Sequence, residues 1–386
     1  MWLYLIIFLI PLVLLVSGKQ KTNKNAQQLA VYLTFLALLV GISDMLGGYD
    51  RYIYGEVFDS IADVTTVHGN YLDNYAFNFY GTEVGYSLLN VLISYITANR
   101  YIFILIITVI VYTLLFFSIR KYTANYPFAL ILFLGLWFFF SFTYLRQVLG
   151  ATIAWLGIQY ITDRKLWRFL LVWIIAFLMH NSAIVFLPMY FVPIRKFNKT
   201  TVLWVMAGLL VLGISPLPNM LFEAYGESAI AERANEYDSA GAFRIEYFLE
   251  AAFFLYFIFI KYNDIPNEKK HIVLLNMALV FCAILLFFIR SENGGRLSWY
   301  YMMGIISTLT YLATDKKRIS GYALLLIGVS FLLYMRIVLL WGVLLTPYKT
   351  FLTDGTRKGD FIYQKYEYDF DYANDKMYRS PIRLWE

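Results

Sequence analysis

Arg146 stands alone in FSFTYLRQVLGATIAW, between two apolar blocks. A guanidinium offers five donors in a fixed fork and suits a phosphate. The plainer alternative is an arginine that snorkels to lipid headgroups. His180 sits in IIAFLMHNSAIVFLP. It can act as a base, as a donor to phosphate, or as a packed polar residue. The chain has 3 histidines, so a histidine-built metal site is not expected. Arg290 and Arg296 bracket RSENGGRLSWYY, with Glu292 between them. Together with Arg146 and His180 they would make a basic cavity that attracts a pyrophosphate. The alternative is a set of unrelated interfacial residues, each paired locally. Arg336 lies within the last apolar block and either pairs inside the protein or ends a span early. Arg244 reads as a helix-end charge.

The acids come early. Asp50 and Tyr54 lie in MLGGYDRYIYGEVFDS, where Gly47–Gly48 marks a turn. Glu83 lies in FYGTEVGYSLLNVLISY, where Gly85 permits a close approach. A carboxylate against apolar surface can serve as a base; otherwise it is a solvated loop acid. Asp44 and Glu56 rank below these two. No Gly-rich phosphate loop followed by Lys, no dinucleotide fingerprint and no HExxH motif is present. ATP hydrolysis, redox work and metalloprotease chemistry therefore have no support.

The elements that must position these residues are apolar. Of 386 residues 60% are hydrophobic and 15% charged, against about 25% charged in soluble domains. The apolar residues come in blocks suited to the ~30 Å hydrocarbon layer, which takes ~20 residues of helix. The candidate spans are 1–16, 28–43, 101–118, 127–144, 147–162, 166–180, 181–193, 200–215, 244–260, 271–290, 297–313 and 320–346. The expected class is all-α: a polytopic membrane helical bundle of about 12 spans. Segment 86–97 is short and is expected to be re-entrant. The net charge of +6 does not mean nucleic acid. Its basic residues cluster between apolar blocks, as topology signals do: Lys19–Lys24, Arg120–Lys121, Arg164–Arg168, Arg195–Lys199, Lys261–Lys270 and Lys316–Arg318. All fall on one side if the N-terminus is outside, and that side is cytoplasmic.

The outer side then carries loops 44–100 and 216–243. The first is rich in Tyr, Asn and Asp, which fits an aromatic belt or a sugar-binding surface. The transmembrane domain spans 1–346. The polar, Tyr-rich tail 347–386 shows no chemistry of its own. Cys282 is the single cysteine, so no intramolecular disulfide forms. Met1–Val16 lacks a preceding basic residue and reads as the first span.

These residues resemble the EpsG family of polysaccharide polymerases. The family's Arg-Gln opening a span and its His-x-Ser-Ala hairpin correspond to Arg146, Gln147, His180, Ser182 and Ala183. Its Gly-x-Asp-x-x-x-Tyr-x-x-x-Phe element matches Gly48, Asp50, Tyr54 and Phe58. Its Glu-x-Gly-Tyr element matches Glu83, Gly85 and Tyr86, and its late Arg-x-x-x-Tyr element Arg296 and Tyr300. Pro347 and Tyr348 resemble the element after the last span. The order and spacing of the elements carry the resemblance, over about residues 1–350.

The resemblance implies a Wzy-like glycosyltransferase, with a relation to the GT-C fold among the expectations. It would act at the outer face of the bacterial inner membrane. A growing glycan would pass from undecaprenyl pyrophosphate to a sugar hydroxyl of the next lipid-linked unit. No nucleotide sugar, metal or cofactor is implied. The partners are the lipid-linked oligosaccharide and membrane lipids, with a chain-length regulator and a flippase as further protein partners. In that mechanism Arg146 and Arg296 clamp the pyrophosphate, with Arg290 in support. Glu83 is the first choice as base, then Asp50, and His180 serves either substrate. Tyr54, Tyr86 and Tyr300 stack on sugars or hydrogen-bond to them. An O-antigen-type ligase, a lipid-linked oligosaccharide flippase and a membrane acyltransferase are the competing readings.

Overall fold

The computed structural model describes residues 1–18, 24–218, 220–221, 243–291, 294–314, 319–353 and 376–383. Most of loop 216–243, most of the tail beyond 353, Glu292, and the basic residues Lys19, Lys21, Lys316, Lys317 and Arg318 lie outside the described residues.

The described residues are helical, without a strand; an isolated antiparallel bridge joins Ser43 to Thr350. The order is α1 (Trp2–Ser17), α2 (Ala26–Gly41), α3 (Tyr49–Thr66), α4 (Tyr75–Tyr80), α5 (Val84–Ser94) and α6 (Arg100–Tyr122). Next come α7 (Tyr126–Leu136), α8 (Phe140–Thr143), α9 (Leu145–Leu156), α10 (Ile158–Thr162) and α11 (Leu166–Met179), then a 3₁₀ segment, Asn181–Tyr190. The remainder is α12 (Lys199–Ile214), α13 (Ile245–Ile260), α14 (Lys269–Phe287), the 3₁₀ segment Gly294–Tyr301, then α15 (Met302–Ala313), α16 (Gly321–Leu340) and α17 (Gly342–Leu345); short 3₁₀ turns also lie at Tyr71–Asp73 and Tyr262–Asp264. Among the pairings, α2 lies along α6, α14 along α15, α9 along α11 and α7 along α16.

Among the described residues three helices, α6, α14 and α16, are long and apolar enough to cross a membrane. At ~1.5 Å per residue a helix of this length covers the ~30 Å core. The other apolar helices are shorter, and several blocks that read as single spans are broken. Block 127–144 is interrupted where Trp137 leaves helical geometry (φ −141°). Block 147–162 breaks at Gly157, between α9 and α10. Block 181–193 is wound as 3₁₀ helix, as is the start of 297–313. Non-helical backbone at membrane depth is tolerated where protein covers it, and Trp137, Phe138, Phe139 and Tyr301 are all buried. The exterior is apolar instead: Trp204, Val211, Tyr256, Leu332 and Leu339 are all exposed. The chain is a membrane protein.

Tyrosine richness has a structural source beyond any belt or sugar surface. Tyr4, Tyr32 and Tyr334 are buried, and their hydroxyls donate to the carbonyls of Leu345 (2.8 Å), Ile7 (2.7 Å) and Tyr4 (2.9 Å). A buried phenol is usually given such an acceptor, and these bonds tie α1 to α2, α16 and α17.

Region 44–100 is not a loop. Helices α3, α4 and α5 pack against one another, and α3 also lies on α6. Arg51 is fully buried and donates to Ser43 Oγ (2.6 Å), Leu46 O (3.1 Å) and Val40 O (2.9 Å), closing the C-terminal end of α2. Arg100 is paired with Asp59, with Nε 2.8 Å from the carboxylate. Residues 376–383 are strapped across this block. Lys376 Nζ donates to both Asp44 carboxylate oxygens (2.8 and 2.7 Å), and Arg379 donates to Asp63 (2.6 Å). Arg383 Nη2 donates to Ala62 O (2.7 Å), and the Arg383 amide to Ile96 O (2.9 Å).

Candidate functional site

Helix α9 restarts at Leu145 after the non-helical Tyr144, which puts Arg146 in its first turn. The guanidinium forms an ion pair with Glu83. Glu83 precedes α5 but does not cap it; its carboxylate turns across to α9 and α11. Its Oε1 accepts the Asn181 amide (3.2 Å) and lies 3.8 Å from His180 Nδ1. Both partners are withdrawn from the surface, with side-chain exposures of 11% for Arg146 and 2% for Glu83. A buried ion pair of this kind is costly to break by removing one partner.

Three tyrosine rings enclose the guanidinium, with centroids 4.9 Å (Tyr80), 5.4 Å (Tyr54) and 6.0 Å (Tyr86) from its central carbon. These are cation–π distances. Tyr80 meets Tyr86 edge-on at 5.0 Å, and Tyr54 meets Tyr86 at 6.3 Å. Tyr54 comes from α3, Tyr80 from the end of α4 and Tyr86 from the first turn of α5.

On the far side of Glu83 the chain leaves α11 at His180 in extended geometry. Nδ1 of His180 accepts the Ser182 amide (3.2 Å) and lies 2.7 Å from Ser182 Oγ. Accepting at Nδ1 fits the neutral ring with its proton on Nε2. Ser182 Oγ is 3.0 Å from the Tyr300 hydroxyl, and the Tyr300 carbonyl takes the Trp155 indole N–H (2.9 Å). A polar line thus runs from Arg146 through Glu83, His180 and Ser182 to Tyr300.

Two glycines make this convergence possible. A Cβ on Gly85 would stand 2.7 Å from Leu178 Cβ and 3.0 Å from Leu178 O, so only glycine lets α5 meet the end of α11. A Cβ on Gly150 would lie 3.3 Å from both His180 Cβ and the Tyr300 hydroxyl.

Of the residues singled out in the sequence, Arg146, Glu83, His180, Tyr54, Tyr86 and Tyr300 come together. Arg296 is placed over the Tyr144 ring (4.8 Å), and its carbonyl accepts Gln147 Nε2 (3.1 Å). Gln147 therefore joins the start of α9 to the Gly294–Tyr301 segment. Asp50 is half-buried in the first turn of α3, one turn before Tyr54. Arg290 is not brought to this centre: it is exposed and donates to Ile214 O (3.2 Å), at the end of α12. Tyr80 carries no signal in the sequence beyond its place before the Gly81 turn. Ser182 belongs to a recognisable element, yet its link to Tyr300 spans 118 positions. Among the described residues no group of three or more His, Cys, Asp or Glu side chains is arranged to hold a metal.

A helical membrane protein with a buried arginine–glutamate–histidine centre walled by tyrosines is the class that fold and site define. A model of the EpsG family matches residues 28–350, and the chain belongs to that family. The family ties it to polysaccharide biosynthesis. No curated protein and no solved structure matches the chain at a significant level.

Proposed function

We propose that the protein is a polysaccharide polymerase that moves a growing glycan from undecaprenyl pyrophosphate to a sugar hydroxyl of the next lipid-linked unit. The reaction is assigned to the outer face of the inner membrane, with about twelve crossings built in part from the short helices in series. The observation that carries the reading is the meeting of Arg146, Glu83 and His180, from three separate stretches of chain, inside a tyrosine-walled centre of an EpsG-family membrane protein.

Arg146 is held by Glu83 before substrate arrives. A pyrophosphate competes for the guanidinium, because phosphate takes the same fork bidentately. Glu83 is then free to accept the proton of the acceptor hydroxyl. The hydroxyl oxygen bonds to the anomeric carbon, the bond from that carbon to the pyrophosphate oxygen breaks, and undecaprenyl pyrophosphate leaves. Direct displacement inverts the anomeric centre. Charge grows on the departing oxygen in the transition state, so Arg146 and Arg296 placed there lower the barrier as well as aiding binding. Loss of one such donor costs ~3 kcal/mol, or ~100-fold in rate. Tyr54, Tyr80 and Tyr86, buried around the guanidinium, hold Arg146 in position; the Asn181 amide orients the Glu83 carboxylate, and His180, with Ser182 and Tyr300 behind it, orients the acceptor.

The test is incubation of purified protein with a single lipid-linked repeat unit, followed by gel and mass analysis of products. A ladder of repeat-unit multiples supports the reading. Translocation of substrate with no new glycosidic bond overturns it in favour of a flippase, and transfer only to a second lipid overturns it in favour of a ligase.

A further inference from the structure

A cavity of about 640 Å³ lies between α13, α16 and the Gly294–Tyr301 segment, within the ~300–1,000 Å³ typical of ligand sites. Phe253, Leu285, Val329 and Leu333 make its walls apolar. It reaches the surface past Leu249 and Arg336, both exposed. The same helices present Tyr256 and Leu332 outward, so the opening faces the hydrocarbon layer.

Its charged lining is of two kinds. Arg296 and Arg336 are cations; Glu246 and Glu250, one turn apart on α13, are carboxylates. Tyr144, two residues before Arg146, also lines it and stacks on Arg296. The cavity therefore adjoins the Arg146 centre. Ionisable side chains clustered among apolar helices mark functional sites or ligand paths.

We propose that this cavity seats a lipid whose head group carries both phosphate and sugar hydroxyls, with its tail along the apolar wall. The inference rests on the polymerase reading and adds the lodging of one of its lipid-linked substrates. Arginine forks take the phosphate oxygens. Carboxyl oxygens accept hydrogen bonds, so Glu246 and Glu250 are placed to accept from the hydroxyls of the sugar. A phospholipid without a sugar would set those carboxylates against its own negative charge. The mixed lining thus selects a glycosylated lipid phosphate over the bulk lipid around it.

Native mass spectrometry of the full chain in detergent tests this. The probes are undecaprenyl diphospho-N-acetylglucosamine, undecaprenyl phosphate and phosphatidic acid, offered together. The expected order of retention follows that order of naming. Arg336→Gln weakens binding of the first probe about ten-fold, and Leu333→Trp, which fills the cavity, does the same. Glu250→Gln narrows the preference for the sugar-bearing probe over undecaprenyl phosphate. Thermal melting confirms that each variant is folded, and Arg336→Gln serves if the bulky tryptophan prevents folding. Equal retention of phosphatidic acid, or wild-type binding by a folded Arg336→Gln protein, overturns the proposal. The two readings fail separately. Polymer formation with unchanged lipid binding in Arg336→Gln sinks only the cavity; selective binding without any glycosidic bond sinks only the polymerase.

Discussion

Glu83 and Arg146, 63 positions apart, form a buried ion pair whose cation lies against the Tyr80 ring. The pair brings the start of α5 to the start of α9, and it neutralises the arginine that a pyrophosphate would have to capture.

Removing one member leaves the other charge buried and uncompensated. Glu83→Met is expected to cost about 3–5 kcal/mol of stability. The double variant Glu83→Met/Arg146→Met is expected to recover most of that loss, since two apolar side chains fill the space. Neither is expected to make polymer. Thermal melting in detergent, beside the polymer assay, separates the structural contribution from the chemical one. A double variant as unstable as the single would mean that the pair is not the source of the cost.

Arg146→Lys keeps a charge opposite Glu83 but loses the planar fork and its stacking on Tyr80. Melting is expected near the wild-type value, with polymerisation about 100-fold slower. Single lipid-linked units should accumulate in cells carrying it. Normal polymer in that strain removes Arg146 from the mechanism.

Ser182→Ala and Tyr300→Phe each cut the same polar line, at Ser182 Oγ and at the Tyr300 hydroxyl. Each is expected to slow transfer about ten-fold, and the double variant no more than either alone, because members of one hydrogen-bonded network couple. Rates that multiply would show two independent contributions.

Lys376→Met strips Asp44 of its closest cation; Lys349 remains, 3.9 Å away. The expected loss is about 3 kcal/mol, confined to the α3 block. Hydrogen exchange checks it: amides of Tyr49–Thr66 should exchange faster while those of α14 are unchanged.

Much of the centre was legible because charge is conspicuous in apolar sequence. Arg146, Glu83 and His180 each stand out against their neighbours, and the short elements around them place the glycines that permit contact. Tyr80 did not stand out, since one tyrosine among 33 has no distinguishing neighbour until the backbone turns at Gly81. Arg290 looked equivalent to Arg296 by position, but the chain between them sends one to the end of α12 and the other over Tyr144. Helix breaks were hidden for a different reason: hydropathy records apolarity, and the residues at the Trp137 break are as apolar as the helix before them. Region 44–100 read as a loop because its polar residues are spent inside it, in bonds such as Arg51 to Val40 and Arg100 to Asp59. The docking of residues 376–383 joins partners 332 positions apart, beyond the reach of any local pattern.

That separation has a consequence during synthesis. Asp44 leaves the ribosome long before Lys376 exists, so the footing beneath Tyr54 relies on α6 and on the Arg100–Asp59 pair while every later helix is inserted. The tie from Lys376 is the last to close, and it locks a block whose other partners have already met.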